Sequence, residues 1–369
     1  MAPYAVQAGG FGLSAVTLGG GSPVVIQTMW KDRLAVSDAE GVAAEAVKGR
    51  IEGLARMGCG LLRFAVPDLE SAEALGRLAG AVSMPLVADI HFDYRIALRC
   101  LDFPIAKIRI NPGNIGGREK IRAVLDKAGE KGVPIRIGVN AGSLPRDLRA
   151  AGGAMALVEA AERELAVFNE FNFTNVVVSM KASGIADTIS ANRILAGRTG
   201  APLHIGVTEA GPLVAGTARS GAALAVLLAE GIGDTLRVSL SDSMENEVIA
   251  AREICSAAAE LASLSGNAKA AGRLRRAGVR VVSCPRCGRH GFDTHGFTAR
   301  WLHRLYAIDR ELTVAIMGCE VNGPEEARHA DVGITGSGNK ILIFRRGVVV
   351  RTVSAEEADE AFAEEIGLT

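Results

Sequence analysis

The feature that most limits what this chain can fold into is an alternation of short β-branched or apolar runs with longer helical stretches. The runs fall at 24–28, 61–65, 86–89, 107–110, 135–139, 176–180, 203–207 and 235–238. Helical patterns such as 37–57, 71–82 and 216–230 lie between them. A strand, a crossover helix and a second strand return the chain in one direction, so the strands pair in parallel. Eight such units in roughly 250 residues match the length of a TIM-type (β/α)8 barrel. The first strand is not followed by a Gly-x-Gly-x-x-Gly turn, which weighs against a doubly wound dinucleotide fold. No repeat is visible beyond the strand–helix rhythm.

The texture changes after the helical run that ends near Leu264. Ser265-Gly266-Asn267 reads as a break, and 273–280 is a short basic stretch. Strand-like runs follow at 279–282 and 313–317, and 341–344 forms a hairpin with 348–353 around Gly347. These features describe a smaller α+β domain of about a hundred residues. The expected division is a barrel domain over 1–265 and a second domain over 266–369.

Composition narrows the function. With 41 Lys plus Arg against 41 Asp plus Glu in 369 residues, the formal net charge is zero. A nucleic-acid-binding domain carries a basic excess, so no nucleic-acid partner is expected. The N-terminus has no basic segment leading into an apolar stretch, and the apolar run 222–229 is far short of the roughly 20 residues of a membrane span. The expectation is therefore a cytoplasmic protein without a membrane partner. The 44 glycines suggest loops that turn sharply or approach a ligand closely.

Cys284-Pro285-Arg286-Cys287 places two thiols on one tight turn, and Cys319 follows the run 313–317. Two thiolates at C-x-x-C spacing suit zinc, a redox dithiol or an iron–sulfur cluster. For zinc, His290, His295, His303 and His329 lie nearby in sequence. Cys59, Cys100 and Cys255 stand singly in apolar or helical settings, where Cys behaves as a small hydrophobe.

Cations interrupt five of the barrel runs: Arg63, Arg109, Arg136, Lys181 and Arg237, the last with Ser239 two residues on. A buried cation is costly unless paired, and Asp89 or Asp234 are candidate structural partners. Five strands each sending a cation toward one barrel are harder to explain by structure alone. The C-terminal ends of barrel strands converge on one site, so the cluster implies a highly charged anion such as a diphosphate. Glu209, a lone carboxylate just past a strand end, is a candidate acid or base beside that anion, or a carboxylate that orients Lys181 or an arginine.

Taken in order, the segments 26–29, 107–116, 135–144, 180–183, 206–211, 231–240, 284–289 and 317–326 resemble the 4-hydroxy-3-methylbut-2-enyl diphosphate synthases of the non-mevalonate isoprenoid pathway. The resemblance covers almost the whole chain. It implies a barrel followed by a domain with a 4Fe-4S cluster, held by Cys284, Cys287, Cys319 and Glu326. It implies two-electron reductive ring opening and dehydration of 2-C-methyl-D-erythritol 2,4-cyclodiphosphate, with reduced flavodoxin or ferredoxin as donor. It also implies a homodimer. Arg63, Arg109, Arg136, Lys181, Arg237 and Ser239 match the positions that hold the diphosphate. Asn111, Asn140 and Thr208 match pocket positions, and Glu209 matches the proposed proton carrier. The chain departs from the pattern at Glu325, where glycine is usual, and at Trp30-Lys31-Asp32-Arg33, where a Thr/Asn-rich run is usual. Two other readings are a redox-inactive barrel synthase resembling dihydropteroate synthase with a structural zinc domain, and a zinc-ribbon binding module fused to a barrel.

Overall fold

In a computed structural model, residues 3–9, 15–150, 152–274, 278–320 and 323–368 are described. The chain divides into two compact units, Met1–Arg275 and Arg276–Thr369.

The first unit opens with an antiparallel pair, β1 (Ala5–Ala8) and β2 (Val16–Gly19). Eight parallel strands follow: β3 (Val25–Met29), β4 (Leu61–Ala65), β5 (Leu86–Asp89), β6 (Lys107–Ile110), β7 (Ile135–Asn140), β8 (Val176–Lys181), β9 (His204–Ile205) and β10 (Thr235–Leu236). Their hydrogen-bonded order is β8-β7-β6-β5-β4-β3-β10-β9. A parallel bridge between Val178 and Leu203 closes the remaining seam, so the sheet is the expected TIM barrel. β9 and β10 span two residues each, less than the runs 203–207 and 235–238 imply. The regular ladder ends early on β9 because Thr208 and Glu209 form a turn, with Thr208 N bound to Ala182 O at 3.0 Å.

The helices between strands follow from capping and apolar spacing. Asp68 caps Leu69–Ala79 by accepting from Ser71 N at 2.8 Å, and Ser243 caps Met244–Leu264 through Asn246 N at 3.1 Å. Each satisfies an N–H that the first helical turn leaves without a backbone partner. The β1–β2 pair, which strand–helix periodicity does not reveal, packs Val6, Ala8 and Leu18 against Val25, Leu61, Val87 and Val177. Those four lie in the opening residues of their strands, so the hairpin seals the N-terminal end of the barrel.

The second unit is a five-stranded sheet in chain order: β11 (Val279–Ser283), β12 (Leu312–Ile316), β13 (Val332–Ser337), β14 (Lys340–Arg345) and β15 (Val348–Val353). The first three strands are parallel and the last two pairings antiparallel. β13 is the strand the sequence reading lacks. Its Gly333 lies under the Phe344 ring, where a Cβ would come within 2.1 Å of Cζ. Helices Thr294–Tyr306 and Ala358–Glu365 bury Phe297, Trp301 and Phe362 against the sheet. Among the described residues no helix is long and apolar enough to cross a membrane.

Candidate active site and cysteine loops

Alternate residues of a barrel strand point inward, and here the inward positions near the C-terminal ends are polar. Arg63, Arg109, Arg136, Asn140, Lys181, Thr208, Glu209, Arg237 and Ser239 line one cavity of about 420 Å³. Asn111 is the one barrel residue singled out above that does not line it. After β6 the chain turns at Pro112 into the short helix Pro112–Ile115, and Asn111 Oδ1 lies 3.5 Å from where a Cβ on Gly113 would sit.

Two carboxylates serve this ring of cations. Asp89 Oδ1 lies 3.0 Å from Arg109 NH1, and Oδ2 lies 3.4 Å from Arg63 Nε. Asp234, the other candidate partner, pairs instead with Arg273 at 2.6 Å. Glu247, on helix Met244–Leu264, is 1% exposed and accepts from Arg237 NH2 at 3.1 Å, Lys31 Nζ at 2.5 Å and Thr28 Oγ1 at 2.6 Å. Among the described residues neither Arg136 nor Lys181 forms an ion pair, although both are buried.

The electrostatics follow from that imbalance. Burial, then the charges of Arg136 and Arg63, push the Lys181 ammonium well below the usual lysine range. Burial lowers Arg63 to about 10, with Asp89 opposing the shift. Burial alone would raise the Asp89 carboxyl, but Arg63, a hydrogen bond with His91 and Arg109 hold it well below the usual carboxylate range. An excess of buried positive charge is costly in isolation and suited to receiving a polyanion.

Glycines make room for these groups. A Cβ on Gly138 would lie 2.6 Å from Arg109 Nε, and one on Gly206 would lie 2.8 Å from Lys181 Nζ. Glu209 is exposed in the turn after β9 and adopts φ of +51°, the left-handed region that non-glycine residues rarely enter. Such a conformation is sustained by its surroundings and clusters at functional sites.

The departure at Trp30-Lys31-Asp32-Arg33 has a structural account. Trp30 is buried and stacks on Phe64 at 5.3 Å between centroids, with Arg50 above it. Lys31 reaches Glu247 and Leu240 O, and Arg33 pairs with Asp68 at 2.6 Å. His91, which also lines the cavity with Nε2 3.1 Å from Arg109 NH1, was missed. Its place two residues past the end of β5 was the available signal.

The three cysteines singled out follow β11 and β12. These strands are adjacent and parallel, with Ser283 opposite Ile316, and Cys284 N extends the ladder to Ile316 O at 2.9 Å. Arg286 turns the Cys284–Cys287 loop with φ of +69°. Cys284 is half-buried, Cys287 exposed and Cys319 buried, and none is in a disulfide. Cys284 Sγ lies 3.5 Å from the position a Cβ on Gly318 would take, immediately before Cys319. Bonds from Gly323 N to Cys319 O and from Ala327 N to Gly323 O carry the chain to Glu326, which like Glu325 is exposed. Residues 321 and 322 of this motif lie outside the described residues. Among the described residues, no three His, Cys, Asp or Glu side chains stand close enough to hold a metal ion as placed. The donor set, three thiols on the loops after two adjacent strands, fits a thiophilic metal centre.

Fold and site together define a TIM-barrel protein with a cation-lined pocket at its C-terminal face and a second unit bearing cysteine loops. The GcpE TIM-barrel domain matches residues 11–252, and the GcpE protein C-terminal domain matches residues 280–367. The chain belongs to the GcpE family. It is 48% identical to the 4-hydroxy-3-methylbut-2-en-1-yl diphosphate synthase (flavodoxin) of Treponema pallidum (strain Nichols), over 95% of this chain and 88% of that one. The Treponema denticola protein of the same name is 44% identical, covering 99% of this chain and 98% of its own. That of Geobacter sulfurreducens is also 44% identical, covering 95% and 94%.

Proposed function

We propose that this chain is an oxidoreductase that converts 2-C-methyl-D-erythritol 2,4-cyclodiphosphate to (E)-4-hydroxy-3-methylbut-2-enyl diphosphate in the non-mevalonate isoprenoid pathway. The observation that carries this reading is the convergence of Arg63, Arg109, Arg136, Lys181 and Arg237 on one cavity, where among the described residues only Asp89 and Glu247 form ion pairs with them. Family membership supports it across both units.

In this reading Cys284, Cys287, Cys319 and Glu326 hold a 4Fe-4S cluster. When bound, the cluster supplies two electrons, one at a time, received from reduced flavodoxin, the partner named for the relatives, or from ferredoxin. Arg63, Arg109, Arg136, Lys181 and Arg237 hold the cyclic diphosphate, with Ser239, Asn140 and Thr208 at its edges. As the ring C–O bond breaks, the oxygen stays with the diphosphate and gains negative charge. The cations already stand around that position, so stabilisation there needs no reorganisation. Glu209 gives a proton to the hydroxyl that departs as water. Asn111 stands outside the residues that line the cavity. A homodimer is part of this reading.

The experiment is iron and acid-labile sulfide analysis of protein purified without oxygen, followed by turnover of the cyclodiphosphate with reduced flavodoxin. About four irons and four sulfides per chain with turnover is the expected result, and Glu209→Gln should lower kcat roughly 10²- to 10⁴-fold. Stoichiometric zinc without sulfide in a reconstituted sample, or no turnover by a cluster-loaded one, would overturn it.

A further inference from the structure

Below the cations that face the cavity lies a second tier that the proposed chemistry does not use. Lys107 opens β6 and is fully buried, and its Nζ has no hydrogen-bond partner. It points to the same side of the strand as Arg109, two residues or about 6.6 Å nearer the sealed end. Other interior groups share its condition. His204 meets Thr235 Oγ1 through Nδ1 at 2.7 Å while Nε2 is left without a partner. Gln27 has neither amide atom bonded, and Arg136 leaves Nε and NH1 without acceptors.

The charged and titratable groups facing this space come from seven of the eight strands. They are Arg63 on β4, Asp89 on β5, Arg109 on β6, Arg136 on β7, Lys181 on β8, His204 on β9 and Arg237 just past β10. The one carboxylate among them, Asp89, is engaged by Arg63 and Arg109. Burial, then the like charges of Arg136 and Arg63, push the Lys107 ammonium well below the usual lysine range. Among the described residues it has no ion pair.

Barrel interiors are ordinarily filled by bulky apolar side chains, and methionine would occupy this length without a charge to desolvate. A lysine here is unfavourable in the empty barrel and favourable only when negative charge arrives nearby. The cavity immediately above is where the diphosphate is placed.

We propose that Lys107 is a positioning residue for the substrate's diphosphate, a cation set beneath Arg136 that strengthens anion binding from inside the barrel. It need not touch the ligand: in a low-dielectric interior its charge acts across the intervening space. The inference rests on the reading of the cavity as a diphosphate site.

The test compares full-length parent and Lys107→Met by calorimetric titration with inorganic pyrophosphate and with methyl phosphate, and by thermal melting without anion. The expected result is an affinity for pyrophosphate at least tenfold weaker, a smaller loss for the less charged methyl phosphate, and a melting temperature equal to or above the parent's. A variant that binds pyrophosphate within about twofold of the parent would overturn the inference and leave the diphosphate site standing. A variant that melts several degrees lower and loses both anions equally would make Lys107 structural only, and so also overturn it. A parent that binds neither anion would overturn the cavity reading and this inference together.

Discussion

Gly138 stands where the guanidinium of Arg109 crosses the barrel interior, and a Cβ there would lie 2.6 Å from Arg109 Nε and 2.9 Å from its NH2. The strand backbone at Gly138 is ordinary, so the position is glycine for space and not for conformation. Gly138→Ala should therefore fold and push Arg109 off its Asp89 contact. Losing a charge-assisted hydrogen bond costs about 1.5–3 kcal/mol, which is about 10- to 150-fold in anion affinity. Pyrophosphate titration of the variant measures it; unchanged affinity would show that Arg109 does not hold the anion.

Glu247 offers a different kind of test, because it lies behind the cations. It accepts from Arg237, Lys31, Thr28 Oγ1 and Leu240 N. Glu247→Gln removes the charge and keeps the shape. The expected outcome is a stability loss of about 1–3 kcal/mol, with KM raised more than kcat is lowered. Lys31→Met should give a smaller stability loss, since Lys31 is partly exposed and surface pairs contribute about 0–1 kcal/mol.

Acid should unfold the barrel through the same carboxylates. Asp89 and Glu247 are both held below their usual range in the folded protein, although burial alone would raise each. The unfolded chain therefore binds protons first, near pH 4. The stability they contribute is complete above that pH and is lost as pH falls toward their folded values. Asp89→Asn should be less stable at neutral pH and show a shallower loss of melting temperature between about pH 4 and 2. An equal slope in parent and variant would remove Asp89 from this account.

Among the cysteine loops the informative pair is Glu325 and Glu326. Adjacent side chains diverge along a turn, so one should serve as the fourth ligand. Glu325→Ala is expected to keep iron and sulfide at the parent's level, whereas Glu326→Ala should change the visible spectrum and abolish turnover. Cys287→Ser should bring iron well below the roughly four per chain of a complete cluster. Full turnover in Glu326→Ala would sink the assignment.

Much of the barrel was legible because its strands are dense in β-branched residues and its cations stand out inside apolar runs. Arg63, Arg109 and Arg136 were readable for that reason. The β1–β2 hairpin was not, since four-residue strands leave no periodicity to detect. β13 was hidden by Gly333 and Gly336, which weaken a strand signal while answering to packing against Phe344, Gly291 and Phe292. Glu247 sits in the polar run Glu245-Asn246-Glu247, which reads as a solvated helix start. Its role comes from the fold, which brings it to Arg237, Lys31 and Thr28. Asn111 follows β6 with extended backbone and leads into the short helix Pro112–Ile115, and it is not among the residues that line the cavity.

The hairpin at the foot of the barrel has a kinetic consequence. Val6, Ala8 and Leu18 pack over the N-terminal end among the described residues, and the interior opens into the cation-lined cavity at the strand C-terminal ends. On that geometry, solvent protons should reach the buried Lys107 and His204 through the same cavity in which an anion would sit. While an anion occupies that opening, hydrogen exchange at these buried groups is slaved to its residence time. Their exchange rates thus become a clock for substrate departure.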